Sequence, residues 1–236
     1  MKPMKRDQTI VLVIVGVAVA LALSRRVVTA QTLLLFGVAV PSIILHEVSH
    51  GVAALYFGDD TAKRAGRLTL NPIAHVDLFG TIILPALLSL SGLGVFGYAK
   101  PVPINPSRMR HPRDDAVVVS LAGPATNVLL AVIAAVVLRQ QHPSFIALGS
   151  GPWRIRIPFA LGIINVVLAV FNLIPIPPLD GSAVIDRFVP KAWRNGWESL
   201  RRYGVLILVG VALLLPGALT RLFTPAINLW ERIIAP

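Results

Sequence analysis

The sequence predicts an all-α membrane protein with several transmembrane helices, and three observations carry that prediction. The chain has 236 residues, of which 55% are hydrophobic and only 14% are charged, whereas soluble domains carry about 25% charged residues. Its mean hydropathy is +0.74. Five apolar segments are long enough to cross the hydrocarbon core as helices. We therefore expect a single membrane-embedded domain over residues 1–236, with about five to six transmembrane helices.

The predicted spans follow one another along the chain with short polar connections. They cover residues 9–24, 31–57, 115–138, 157–174 and 203–219. A sixth apolar stretch, 78–98, contains a proline and several glycines, so we expect a re-entrant or interfacial segment rather than a regular helix. The tail 221–236 is amphipathic and is expected at the membrane interface. The predicted core is 31–185, with 9–24 and 203–236 as peripheral helices.

Charge and cysteine content exclude several classes of protein. The net charge is +11, but the basic residues are spread over short connections, which indicates anionic lipid rather than nucleic acid as the partner. The chain has no cysteine, so disulfides and thiolate metal sites are excluded. The basic N-terminus and the following apolar run are similar to a signal peptide. Because another span follows directly, we interpret this run as a retained first helix.

A metal-binding pattern lies inside the second predicted span. Residues 46–50 read His-Glu-Val-Ser-His, and two histidines four residues apart share one face of a helix, where both can reach one Zn²⁺. Glu47 lies between His46 and His50 and is placed to take a proton from water. Ionisable residues are costly in hydrocarbon and are functional candidates by default. A helix whose polar residues face an internal cavity is the alternative explanation.

A third ligand is expected from a later segment, because catalytic zinc sites commonly use three protein ligands and one open position. The best remaining acid is Asp180, in the sequence Asn-Leu-Ile-Pro-Ile-Pro-Pro-Leu-Asp-Gly of residues 172–181. Its prolines end the preceding helix, and unwound backbone at membrane depth occurs where it lines a site. Capping of the next helix by Asp180 is the alternative role.

These motifs together resemble the site-2 protease family, peptidase family M50, of intramembrane metalloproteases. Two further stretches agree with it, residues 121–127 and residues 71–77, and the resemblance covers about 31–185. It is greatest to compact prokaryotic members without PDZ or CBS domains. The resemblance implies one zinc ion per chain bound by His46, His50 and Asp180, with Glu47 as general base. It also implies that the substrates are transmembrane helices of other proteins.

Three more polar residues are candidates for substrate or oxyanion contacts. Asn172 and Asn127 are amides within predicted spans, where the alternative role is an interhelical hydrogen bond. His75 could be a fourth ligand, a gate or a loop histidine, and with Asp77 two residues later it could face the metal pocket. Residues 67–70 precede Asn71-Pro72 and are predicted to form a short strand or part of a β-hairpin near the active site.

Charge also predicts the orientation of the chain. His46, His50 and Asp180 can meet only if both of their spans approach the site from the same side of the membrane. If 78–98 does not cross, most Lys and Arg residues fall on the side of the N-terminus, which the positive-inside rule identifies as cytoplasmic. We therefore predict an integral protein of a prokaryotic cell membrane, with its N-terminus and active site towards the cytoplasm.

Two other functions remain open from the sequence. A metal transporter could use the same ligands, although a transporter is expected to distribute ligands along a pathway rather than gather them beside one base. A non-catalytic metal-binding scaffold is the second alternative, and the intact set of His46, Glu47, His50 and Asp180 argues against it. The sequence does not name a regulatory membrane partner.

Overall fold

The computed structural model describes residues 29–75, 77, 100–141 and 151–235. The helices are α1 Ala30–Tyr56, α2 Thr61–Arg64, α3 Pro72–His75, α4 Pro112–Arg139, α5 Trp153–Asn172, α6 Ser182–Phe188, α7 Arg194–Leu214 and α8 Pro216–Ile234. Single 3₁₀ turns cover Pro106–Arg108 and Lys191–Trp193. The predicted helix 9–24 and the predicted re-entrant segment 78–98 lie outside the described residues.

Three helices of the described part are long and apolar enough to cross a membrane, namely α1, α4 and α5. They correspond to the predicted spans 31–57, 115–138 and 157–174, with ends shifted by a few residues. All three pack against one another. The all-helical class and these three spans are confirmed, whereas the full number of five to six spans stays a prediction.

Polar contacts fix the relative directions of these three helices. Near the start of α1, Gln31 accepts a hydrogen bond from Arg156 at the start of α5 (2.9 Å). Halfway along α1, Ser42 accepts one from Asn165 of α5 (2.9 Å). The two helices therefore run parallel. The connection between Tyr56 and α4 begins and returns at one end of the bundle, since Arg110 N–H donates to the Phe57 carbonyl (3.1 Å), so α4 runs antiparallel to both.

The predicted strand at 67–70 is wrong. These residues have no ladder partner among the residues that the structure describes, and they form an irregular turn. Local side-chain bonds use the backbone instead, because the Thr69 carbonyl accepts from His75 Nε2 (2.8 Å) and the Thr69 hydroxyl accepts from Asn71 N–H (3.2 Å). A short α3 follows directly.

The predicted span 203–219 is also wrong in its bounds. α7 ends at Leu214, and Leu215 has φ −131° and ψ 58°, which is outside the helical region. Pro216 is the cause, because its ring restricts the preceding residue and it has no N–H for the helix. A new helix, α8, begins at Pro216.

The C-terminal helix α8 packs against the bundle, and its expected place at the membrane interface stays a prediction. Trp230 of α8 is buried, and its Nε1–H donates to the Ala131 carbonyl of α4 (2.8 Å). Phe223 and Trp230 contact Phe171 and Phe159 of α5, at ring-centroid distances of 6.5 and 5.8 Å. α8 therefore runs antiparallel to α5, and Trp230 and Ile234 join the apolar core between the helices.

Candidate metal centre

Three predicted ligands converge at one end of the bundle. His46 and His50 lie one turn apart on α1, and their Nε2 atoms are 3.0 Å from each other. The Asp180 Oδ2 atom is 3.0 Å from Nε2 of His46 and 3.3 Å from Nε2 of His50. These ligand atoms all lie within 4.8 Å of one another, and both histidines are buried.

A chain of buried amides fixes the proton of His46. Its Nδ1 lies 2.6 Å from the side-chain oxygen of Asn127, whose Nδ2 donates to the side-chain oxygen of Asn165 at 2.8 Å. Nδ2 of Asn165 donates in turn to the backbone carbonyl of Leu161 (2.8 Å), which can only accept. That carbonyl sets the direction of every bond in the chain, so His46 carries its proton on Nδ1.

His50 is held by a backbone group in the same way. Its Nδ1 is 2.7 Å from the Val119 carbonyl of α4, and a carbonyl can only accept, so this nitrogen also carries the proton. In the neutral imidazoles, both Nε2 atoms therefore direct lone pairs at each other and at Asp180. Hydrogen bonding of the outer nitrogen is the usual support of a metal-binding histidine.

The donor set fits a zinc ion. Three lone-pair donors face one another, and among the described residues the buried Oδ2 of Asp180 has no hydrogen-bond donor, an arrangement that is repulsive unless a metal ion or a proton lies between them. Gly123 of α4 leaves the required space, because a side-chain carbon there would strike Nε2 of both histidines. Two imidazoles and one carboxylate match the ligands of catalytic zinc sites, which leave a further position open.

The proline-rich segment after α5 delivers Asp180 to the histidines. α5 ends at Asn172, and the chain turns back so that Gly181 N–H donates to the Asn172 carbonyl (2.7 Å). A side-chain carbon at Gly181 would collide with the Leu173 carbonyl, so glycine is required here by close approach. Asp180 makes no side-chain cap of α6, whose N-cap residue is Gly181.

Glu47 lies one residue beyond His46 and thus on the next face of α1. Its Oε2 accepts a hydrogen bond from Val102 N–H at 2.9 Å. Val102 belongs to the irregular segment 100–105, which carries Pro101 and Pro103 and runs past this face of α1. The carboxylate of Glu47 is therefore oriented by loop backbone rather than by a neighbouring helix.

The other predicted residues differ in their positions. Asn127 contacts the metal centre through His46, so the interhelical hydrogen bond weighed in the sequence is present and reaches a ligand. Asn172 donates its side-chain amide to the Leu168 carbonyl of its own helix (3.0 Å). His75 is buried outside the ligand group, with Nε2 bonded to Thr69 and with no partner for Nδ1 among the described residues.

Sequence reasoning missed two members of this centre. Asn165 is fully buried in α5 and carries the bond chain, while Ser42 accepts from Asn165 and donates to the Val38 carbonyl (2.9 Å). The available signal was a polar residue in the middle of an apolar span, which frequently indicates an interhelical contact. Only the register of α1, α4 and α5 shows that this contact leads to His46.

Comparison with known proteins agrees with the metal centre. Residues 147–217 match the model of peptidase family M50, a match that includes Asp180 but not the histidine pair. YwhC of Bacillus subtilis, named as a candidate zinc metalloprotease, is 40% identical over 173 residues, or 71% of this chain and 74% of YwhC. Rip2 of Mycolicibacterium smegmatis, named likewise, is 33% identical over 191 residues, or 80% of this chain and 66% of Rip2. No solved structure matches the chain significantly.

The fold and site define a zinc-dependent metalloprotease whose ligands lie among helices of membrane-spanning length. More specifically, the chain belongs to peptidase family M50.

Proposed function

We propose that this protein is an intramembrane zinc metalloprotease that hydrolyses peptide bonds in or near the transmembrane helices of other proteins. The observation that carries the proposal is the position of the ligand group. It is formed by α1 and by the segment that follows α5, and both of these helices are long enough to span a membrane. A site at this depth meets peptide bonds of membrane-embedded chains more readily than those of soluble proteins.

The proposed ligands are His46, His50 and Asp180, and the proposed general base is Glu47. When bound, zinc supplies a Lewis acid that polarises the scissile carbonyl and lowers the pKa of water. Glu47 takes the proton of the attacking water and delivers it to the leaving amine. The bond from Val102 holds one oxygen of Glu47 and leaves the other available for this proton.

Substrate contacts are assigned by proximity to the ligands. Asn127 is committed to His46, so we assign it to ligand orientation rather than to the oxyanion. Asn172 lies at the end of α5, eight positions before Asp180 in the sequence, and its side-chain oxygen stays a candidate acceptor for substrate backbone. A helical substrate hides its carbonyls in hydrogen bonds, so we expect cleavage at helix-weakening residues.

The proposed orientation places the metal centre towards the cytoplasm of a prokaryotic cell. Arg108 lies beside the start of α4 and pairs with Asp60 (2.7 Å), whereas Arg154 lies at the start of α5, at the other end of the bundle. The basic residues near the site end outnumber those near the other end, which supports this orientation. Accessibility labelling of cysteines placed at Arg108 and Arg154 tests it, since labelling from the same side would contradict it.

The first test of the function is Glu47→Gln in proteoliposomes, with a panel of single-span substrates and zinc content measured together. We expect wild type to cleave and bind about one zinc per chain, and the variant to keep its zinc and lose cleavage by at least about 100-fold, because it lacks the base. Glu231→Gln, at an exposed glutamate of α8, is the matched control and should cleave as wild type does.

Other outcomes separate the alternatives. Cleavage that persists in Glu47→Gln would contradict the assigned base. Zinc flux into the vesicles by wild type, without cleavage of any substrate, would favour the transporter. Zinc in both proteins with neither flux nor cleavage would favour a metal-binding scaffold.

A further inference from the structure

The irregular segment 100–105 is held against α1 by charged side chains at both of its ends. Arg67 Nη2 donates to the Lys100 carbonyl (2.6 Å) and makes a longer bond to the Pro101 carbonyl (3.4 Å). At the other end, the buried Asp59 carboxylate accepts from Asn105 N–H (2.6 Å). Val102, whose N–H holds Glu47, lies between these two attachments.

The segment has few backbone N–H groups with which to fix its own position. Pro101 and Pro103 have no N–H and cannot donate to a neighbour. The segment also seats closely on the helix one turn after Glu47, since a side-chain carbon at Gly51 would come within 3.1 Å of Val102. The position of the segment along α1 is therefore set by the contacts at its two ends. Of these two contacts, the one with Arg67 is nearer to Val102 in the sequence.

The environment of Arg67 is unusual for an arginine. It is buried, with 8% of its surface exposed, and no carboxylate among the described residues forms an ion pair with it. Burial of a charge without a counter-charge is costly. Within the described part of the chain, the side-chain hydrogen bonds of Arg67 go to the carbonyls of the two residues that precede Val102, so its contribution is concentrated on the position of one N–H group.

We propose that Arg67 is a positioning residue for the general base, acting through the backbone of 100–105 to aim the Val102 N–H at Glu47. The inference rests on the proposed role of Glu47 in catalysis. Removal of the guanidinium frees the Lys100 and Pro101 carbonyls, lets Val102 move along α1 and leaves Glu47 without its fixed donor. Zinc binding does not depend on this segment, because its ligands are held by α4 and α5.

The test is Arg67→Met, with Arg64→Met as the matched control. Arg64 is three residues away and makes an exposed pair with Asp60 (2.9 Å). We expect Arg67→Met to keep its zinc and its KM, to lose about 10- to 100-fold in kcat, the effect typical of a small misplacement of a catalytic group, and to exchange the amides of 100–105 faster with deuterium. Millimolar guanidinium should partly restore kcat to Arg67→Ala.

Arg67→Lys keeps one donor for the Lys100 carbonyl and should retain more kcat than Arg67→Met. If Arg67→Met does not fold, Arg67→Lys against wild type decides by the same readouts. Wild-type kcat in Arg67→Met, unchanged exchange of 100–105, or parallel loss of zinc and activity would overturn the inference. Failure of the proposed function can be told apart from failure of this inference. In the first case wild type would not cleave any substrate, and the deuterium exchange of 100–105 would still report whether Arg67 fixes Val102.

Discussion

Two neighbouring faces of α1 hold their functional residues by different kinds of group. On one face His46 and His50 are fixed by neutral partners, the Asn127 amide and the Val119 carbonyl of α4. On the next face Glu47 is fixed by the Val102 N–H of a loop, and that loop is attached through two charged residues. The proposed metal ligands are thus held by helix packing, and the proposed base is held by a segment outside the helices.

The difference has a physical reason. The ligand face is enclosed by helices of spanning length, where a charged support would cost several kcal/mol more than a hydrogen-bonded amide. The face with Glu47, called the loop face here in contrast to the ligand face with His46 and His50, is supported by Arg67 and Asp59, which lie beyond the end of α1, where charged residues are tolerated. We therefore expect damage to the first face to appear in zinc affinity, and damage to the second to appear in kcat.

The largest effect is expected from Gly123→Ala, which adds a methyl group against the imidazoles of His46 and His50. Either the rings or α4 must move, so zinc affinity should fall about 100-fold, equivalent to roughly 3 kcal/mol of overpacking. Gly37→Ala in α1 is the matched control, since nothing lies within 4 Å of the added carbon. Zinc titration against a chelator measures both, and equal affinities would show that the contact with Gly123 is relaxed at no cost.

A smaller effect on the same face is expected from Asn165→Leu. This change removes the residue that fixes the direction of the bonds to His46, so zinc affinity should fall about 10- to 100-fold. Asn172→Leu is the control, because Asn172 is also an amide of α5 that donates to the carbonyl four residues before it, but it has no bond to a ligand. If the two variants bind zinc equally well, the chain from Leu161 to His46 does not orient the ring.

The two faces also differ in how far the sequence could predict them. The helices of the ligand face follow from hydropathy, His46 and His50 follow from their spacing, and the prolines before Asp180 indicate where the chain turns back. Asn165 could not be assigned, since an amide in a span looks the same whether or not its partner leads to a ligand. Pro216 predicts the helix break at Leu215, but the continuous apolar run around it favoured a single span in the sequence analysis.

The loop face was less predictable, because its contacts join residues distant in sequence through backbone atoms. Arg67 bonds to Lys100, 33 positions later, and Asp59 bonds to Asn105, 46 positions later. Carbonyl and N–H groups occur at nearly every residue, so the sequence carries no record of which one a side chain selects. Residues 67–70 were predicted to form a strand, whereas in the structure they form an irregular turn from which Arg67 reaches the Lys100 carbonyl.

The smallest effect is expected from Asp59→Asn. Its pH dependence tests whether the loop that holds Glu47 is attached by charge. Burial of the Asp59 carboxyl by itself raises its pKa, but hydrogen bonds from Thr61 and Asn105, together with the charge of Arg108, outweigh burial and hold the pKa below its ordinary value of 3.8. The folded protein thus favours the ionised form. This contribution is fully present above the ordinary pKa and is lost as pH falls through the lower pKa of the folded state.

Asp59→Asn should accordingly unfold at a lower temperature than wild type near neutral pH, and the difference should shrink as the pH falls below about 4. Asp60→Asn is the control, because that neighbouring carboxylate is half-exposed and its pairs with Arg64 and Arg108 are partly solvent-screened. Thermal unfolding in detergent across this range measures the difference. A gap that stays constant with pH would mean that Asp59 acts by shape rather than charge, and the loop face would then be held in the same manner as the ligand face.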